Sequence, residues 1–237
     1  MRKTYTFLFL LGFLAAQAGC RSEEVSLMIK ALHPLNEDCE AQTDYTRGKG
    51  SLNLQATSAY LLSVVLESVI EGKDVEGASG RLLSSEKENR MVLTEWTRQY
   101  FLYGAQGTSR LVFEESEPLA GILEPNAAVE LLMPLSMMSP AGANAVRELL
   151  WKTGKTEAGA EVVVRFQIHG KMVSSGKKTQ TAPMDFPLYV YFGKPLPQCE
   201  GVQVLAPVGP CGLHGGQDAF EPMCCELDLN GKKCKNG

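Results

Sequence analysis

Hydrophobic and polar positions alternate with period two through most of the chain. Val25, Leu27, Ile29 and Ala31 stand against Ser26, Met28 and Lys30. After a Gly/Lys-rich turn at 47–50, Leu52 and Leu54 resume the pattern, and Tyr60, Leu62, Val64 and Leu66 carry it further. The clearest case sets Val162, Val164, Phe166 and Ile168 against Val163, Arg165, Gln167 and His169. Successive side chains of a strand point to opposite faces, so this spacing predicts a sheet with one face buried. Phe186, Leu188, Val190 and Phe192 follow a Ser174-Ser175-Gly176 turn, which predicts a hairpin with a wide loop. Further strands are predicted near 91–103, 109–113 and 127–133. One helix is predicted over 141–152, capped by Ser139 with Pro140 in its first turn and Val146, Leu149 and Leu150 on one stripe. Small and polar residues over 75–88 predict a loop. Seven or eight strands without βα alternation predict an all-β fold, an antiparallel immunoglobulin-like β-sandwich with one short helix lying across an open end.

The first residues follow a different rule. Met1-Arg2-Lys3 is basic, residues 7–16 are apolar apart from Gly12, and Ala16-Gln17-Ala18-Gly19-Cys20 is small and ends in cysteine. That order is an export signal, and an apolar run of about ten residues is half of what a bilayer-spanning helix needs. Two cleavage points compete. Ala16-Gln17-Ala18 suits ordinary signal peptidase and would release a chain beginning at Gly19. Ala18-Gly19-Cys20 resembles the lipobox of bacterial lipoproteins, in which the cysteine thiol receives a diacylglycerol and the new amino terminus a further acyl chain such as palmitate. Gln17 departs from the Leu preferred at that place. Cysteine parity favours the lipobox. Seven cysteines in an oxidising compartment leave one unpaired, whereas acylation of Cys20 leaves an even set of six. By resemblance to Gram-negative sorting, Arg21-Ser22 after the acylated position favours the outer membrane.

The expected organisation is a cleaved signal over 1–19, a sandwich domain over 20–192 and a Cys-rich segment over 193–237 packed on the sandwich. In that last segment Pro, Gly and charge rise, periodicity fades, and Cys199, Cys211, Cys224, Cys225 and Cys234 gather. With Cys39 they are candidates for three disulfides, Cys39 tying the tail to the first strand region. Adjacent Cys224 and Cys225 are expected to take different partners, since a ring between neighbours is strained. Sequence leaves the connectivity open among fifteen possibilities.

Composition narrows the function classes. The chain is 44% hydrophobic and 21% charged, which is globular, and its formal charge of −4 becomes −6 once Arg2 and Lys3 leave with the signal. A mildly acidic chain argues against a nucleic-acid partner. The Cys211-x2-His214 spacing, with Cys224-Cys225 after it, is acceptable for zinc but lacks a second ligand pair, so disulfides are expected instead and no metal or cofactor is implied. His33 is expected in a loop beside Pro34, and His169 on the polar face of its strand. No Gly-x-Ser-x-Gly elbow is present, and His214-Gly215-Gly216 has no serine after it, so a serine-hydrolase site does not assemble. Gly154-Lys155-Thr156 lacks the earlier glycine of a P-loop and predicts a turn. Asp228-Leu229-Asn230-Gly231 begins like a calcium loop without its remaining ligands. Met133, Met137 and Met138 sit among leucines and are expected to fill core space rather than to bind copper. Trp96, Tyr100 and Tyr103 with Arg98 and Arg110 could line a sugar- or peptide-binding surface, although strand aromatics are more often core.

Gly50-Ser51-Leu52-Asn53-Leu54 with Tyr60 and the strand after it, the 162–170 run, Asp185-Phe186-Pro187-Leu188-Tyr189-Val190 and the Cys199/Cys211/Cys224 tail together resemble a group of uncharacterised lipoproteins abundant in myxobacteria and related Gram-negative bacteria. The resemblance implies a lipobox, a β-sandwich and a cysteine-bearing C-terminal segment, and it implies no catalytic residues. The expectation is a non-enzymatic lipoprotein, anchored to the outer membrane on its periplasmic or cell-surface face, that binds a protein, peptide or glycan partner or plays a structural role. The alternative is an envelope hydrolase or metal-binding protein using Cys211 and His214.

Overall fold

In the computed structural model the alternating runs become thirteen strands and one helix among the described residues. In chain order these are β1 (Leu27–His33), β2 (Gly50–Asn53), β3 (Tyr60–Ser68), β4 (Met91–Tyr103), β5 (Ser109–Leu123), β6 (Ala128–Glu130), β7 (Leu135–Met138), the helix α1 (Pro140–Lys152), β8 (Ala160–Met172), β9 (Lys178–Gln180), β10 (Met184–Tyr191), β11 (Gln203–Ala206), β12 (Met223–Asp228) and β13 (Gly231–Cys234). The structure describes residues 27–68, 90–104, 108–125, 128–130, 134–156, 159–193, 198–199, 203–206, 210–212, 217–218, 223–228 and 231–234. The signal segment with Cys20, the 75–88 loop, Met133 and His214 lie outside them.

The larger sheet runs β2-β10-β8-β4-β5, with β9 pairing the far end of β8. The smaller joins β1, β3 and β6, with β7 pairing the start of β3. Both sheets turn their apolar faces to one core. Leu27, Leu62, Val64 and Leu66 come from the smaller sheet, and Trp96, Val164, Phe166, Ile168, Phe186 and Leu188 from the larger. Tyr60 and Phe186 meet across the core with ring centroids 5.4 Å apart. Burying side chains of this size is worth roughly 1.5–3 kcal/mol each, which makes the shared core the main force holding the sheets together.

Among the described strands, pairing is antiparallel except at β2, which joins β10 in parallel. The expected all-antiparallel arrangement therefore fails at that edge. A parallel neighbour needs a crossover, and β2 precedes β10 by a long stretch of chain that supplies one. Two register shifts also depart from strict alternation. In β1 a bulge between Ile29 and Ala31 passes the inward position on to Leu32. In β4 a bulge between Leu93 and Glu95 does the same, so Met91 and Leu93 face inward before it and Trp96, Arg98, Tyr100 and Leu102 after it.

The helix begins as its sequence predicts. Ser139 has an extended backbone and its Oγ accepts a hydrogen bond from the Gly142 amide at 2.9 Å. It ends in a Schellman turn. Gly154 takes φ +67°, its amide donates to the Trp151 carbonyl, and the Lys155 amide donates to that of Leu150. Gly154-Lys155-Thr156 is thus a helix terminus, not a phosphate loop. Val146 and Leu150 are buried, with Leu149 packed against the same core. Met137 and Met138 are buried as packing residues.

The tail has more order than its weak periodicity suggests. β11, β12 and β13 form a third, antiparallel sheet. Asp228 of β12 pairs with Gly231 of β13, so the segment that begins like a calcium loop falls where these two strands meet, with residues 229 and 230 outside the described ones.

Candidate functional site

Of the residues weighed for a recognition surface, Trp96 and Tyr100 are buried, the outcome expected of strand aromatics, and Arg98 is buried between them in one polar cluster. They alternate along the inner face of β4, beyond its bulge. Arg98 is 0% exposed. A buried guanidinium is costly unless paired, and β5, the next strand, supplies the partners. Glu115 stands opposite Arg98 in register and Glu117 opposite Trp96. Arg98 Nε lies 3.1 Å from Glu115 Oε1, and Nη2 lies 2.5 Å from Glu117 Oε1. Both contacts have the geometry of ion pairs rather than of directed hydrogen bonds. Nη1 donates to the Ser136 carbonyl of β7. The guanidinium also lies over the Trp96 ring, 4.4 Å from its centroid.

The neighbouring side chains close the cluster. Trp96 Nε1–H donates to Glu117 at 3.2 Å, and the Tyr100 hydroxyl donates to Glu115. Tyr100 in turn accepts from the Ser139 amide, the helix cap, at 3.3 Å. Burial pushes the Tyr100 phenol well above its ordinary range. Arg98 opposes that shift and the Glu115 carboxylate adds to it, so the hydroxyl remains a proton donor. Arg98 thereby links β4, β5 and β7, and Tyr100 links the same cluster to α1. Chemically this is a brace. Its charges are directed at one another, and only Glu117, with its side chain 47% exposed, opens substantially to solvent. Tyr103 and Arg110, the remaining two residues of that set, are exposed at the end of the β4–β5 hairpin.

A second cluster docks the tail. Gln217 is buried, and its side chain acts like a strand backbone against Leu61, accepting from the Leu61 amide at 3.0 Å and donating to its carbonyl at 2.9 Å. The Asp218 amide donates to the Ser51 carbonyl at 2.8 Å. The Asp218 carboxylate accepts from the Ser51 amide at 3.2 Å and from the Tyr60 hydroxyl at 3.0 Å, and it pairs with Arg47 at 3.2 Å. Burial first, and Asp218 second, push the Tyr60 phenol far upward, so it too stays protonated. Beside this contact Cys39 is bonded to Cys211. Asn36 shapes the loop that carries Cys39. Its side chain accepts from the Asp38 and Glu40 amides, and its carbonyl accepts from the Cys211 amide at 2.8 Å. Cys39, Cys211 and Asp218 all have positive φ. That backbone disfavours residues with a Cβ, so each is held by the contacts around it. Sequence reasoning missed Gln217 and Asp218, since neither belongs to a motif.

The cysteines resolve as follows. Cys39 pairs with Cys211 and Cys199 with Cys224. Cys225 is disulfide-bonded, and its register partner across β12 and β13 is Cys234. A sulfur bonded to another sulfur is not a thiolate ligand, so Cys211 and Cys224 do not serve a zinc site in this form, and His214 lies outside the described residues. His33 closes β1 rather than sitting in a loop. It is buried, with Nδ1 2.6 Å from the Tyr45 carbonyl. His169 is half-buried on the outer face, with Nε2 3.2 Å from Thr97 Oγ1. No described helix is long and apolar enough to cross a membrane. Compared with known proteins, the chain matches no protein-family model and no curated protein.

Proposed function

We propose that the protein is a cell-envelope lipoprotein, held on the bacterial outer membrane by acyl chains on Cys20, whose body is an immunoglobulin-like β-sandwich with a non-catalytic binding or structural role. One observation carries the reading. Five cysteines of the body and tail are disulfide-bonded, and Cys234 stands opposite the fifth, Cys225. Disulfides of this kind belong to exported proteins, and an even set of six leaves Cys20, next to a lipobox-like Ala18-Gly19, as the odd cysteine. The likeness to myxobacterial-type lipoproteins supports the same reading. The immunoglobulin-like comparison draws on two sheets that share one core, with the parallel β2 as a departure from it. The non-catalytic role is supported by the closed Arg98 cluster, which spends its charges on structure. The partner would be a protein, peptide or glycan, recognised away from the anchor.

Mass spectrometry of the mature, unreduced protein tests this. The expected result is an N-terminal Cys20 bearing diacylglycerol and the mass of a chain whose other six thiols are oxidised. A mature chain beginning at Gly19 with a free thiol overturns the anchoring.

A further inference from the structure

One end of the larger sheet gathers exposed aliphatic and basic residues. In register across four strands, Ile122 of β5 stands beside Val92 of β4, Val92 beside Lys171 of β8, and Lys171 beside Lys178 of β9. These four form one rung on the outer face of the sheet. The chain leaving β8 extends it. The Val173 amide donates to the Arg90 carbonyl at 2.8 Å, and a tight turn closes when the Met172 amide donates to the Lys177 carbonyl at 2.9 Å. Gly176 enters that turn at φ +66°, close against the Lys171 side chain. Ile122 is 60% exposed and Val173 55% exposed, with Val92 also exposed between them.

Among the described residues, no carboxylate compensates the lysines of this rung. Arg90 is paired with Glu124, and Lys30 on the neighbouring sheet with Glu67. Lys171, Lys177 and Lys178 are exposed and form no ion pair with any described residue. Three lysines without an ion-pair partner among the described residues therefore stand together on a body whose formal charge after signal removal is −6. Aliphatic side chains flanked by lysine are the composition of a surface that settles into the headgroup region of an anionic bilayer.

The chain's entry point lies at the same end. Leu27 pairs with Ser68, the last residue of β3, and Glu67 pairs with Ala128, five residues after Leu123 ends β5. Leu123 in turn stands opposite Met91, and Met91 opposite Met172. Only seven residue steps separate Leu27 from Cys20, and at full extension they span at most about 25 Å. An acyl chain on Cys20 would hold this end, rather than the end bearing α1 and the docked tail, within reach of the membrane.

We propose that the rung Ile122, Val92, Lys171 and Lys178, with Val173 and Lys177 of the adjoining turn, is a docking face for an anionic lipid surface. It rests on acylation of Cys20 and gives that anchor a defined orientation. The lysines are drawn to lipid phosphates, the aliphatic residues enter the interface, and the α1 end and the docked tail face away from the bilayer, toward a partner.

The test is hydrogen–deuterium exchange of the full acylated protein in vesicles of phosphatidylcholine alone and of phosphatidylcholine with phosphatidylglycerol. Amides over 90–93, 120–124 and 171–179 should exchange more slowly on the anionic vesicles only, and high salt should remove the difference. The triple variant Lys171→Gln, Lys177→Gln, Lys178→Gln should stay membrane-bound but lower the docked-to-undocked ratio by about a hundredfold, about fivefold per lysine. Unchanged protection in the Phe166 and Ile168 region would show that the variant is folded. Equal exchange on the two vesicle types by a chain whose Cys20 is shown by mass spectrometry to be acylated overturns the docking face and leaves the anchor standing. An unacylated chain beginning at Gly19 overturns both.

Discussion

Arg98 illustrates how a residue's surroundings determine its role. As a letter in the chain it resembles Arg110, and both stand near aromatics. In the structure Arg110 is exposed, while Arg98 is fully buried between Trp96 and Tyr100 with two carboxylates set against it. Removing one partner from such a cluster leaves an uncompensated charge, so Arg98→Met should lower stability by about 3 kcal/mol in urea unfolding. Pairing it with Glu115→Leu should recover part of that loss, because the stranded carboxylate goes too. Arg165 and Asp185 make the contrasting exposed pair, with Nε and Nη2 at 2.7 and 2.9 Å from the two carboxylate oxygens. The hydrogen bonds from Arg165 hold the Asp185 carboxyl below its ordinary value. A lowered carboxyl stabilises the fold above its unfolded pKa, about 3.9, and that contribution is lost as pH falls through the folded value. NMR titration should place Asp185 below the usual aspartate range, and Arg165→Gln should return it there with little change in stability at neutral pH, since both groups are well exposed.

At the level of elements, the bulges explain what alternation could not convey. A period-two reading carried on from Met91 and Leu93 would put Trp96, Arg98 and Tyr100 outside. One extra residue near Glu95 turns them inward instead. Nothing in Thr94-Glu95 announces that bulge, because its position is chosen by the pairing with β5 and β8. The helix shows the opposite case, since Ser139, Pro140 and Gly154 mark its limits through local backbone chemistry alone. Gly142 in its first turn is there for packing, since a Cβ at that position would lie 2.6 Å from Tyr100 Cζ. Alanine ordinarily favours a helix over glycine by about 1 kcal/mol, yet Gly142→Ala should destabilise by about 1–3 kcal/mol in thermal unfolding, since the Tyr100 ring is fixed by Glu115 and Ser139. In the tail, the register of β12 with β13 sets Cys225 opposite Cys234. Peptide mapping without reduction should recover a Cys225–Cys234 link beside Cys39–Cys211 and Cys199–Cys224, so that neighbouring Cys224 and Cys225 have separate partners.

For the whole molecule, the described residues of the tail meet the sandwich through a covalent bond and a small polar contact. Cys39 and Cys211 are 172 residues apart. A loop of that size is worth about 5 kcal/mol in the chain-entropy account, whereas each Gln217 or Asp218 hydrogen bond contributes about 1 kcal/mol. Cys39→Ser with Cys211→Ser should therefore release the tail while the sandwich persists. Amide exchange in β2 near Ser51 and at Leu61 should rise by an order of magnitude or more beyond the rise in β8, which reports the lowered global stability, and equal acceleration of both regions would show that tail and sandwich unfold together.

The sequence by itself determined the strand-rich class and the helix with its caps, and its cysteine count and first residues are what motivate the proposed export and lipid attachment at Cys20. Each of these follows from local spacing or from counting. The burial of Arg98, the parallel entry of β2, the docking of Gln217 and Asp218, and the rung that joins Ile122, Val92, Lys171 and Lys178 were decided only by the tertiary structure. They bring together residues from strands far apart in the chain, and which of those residues meet depends on register, bulges and the shared core, none of which is written in any one segment.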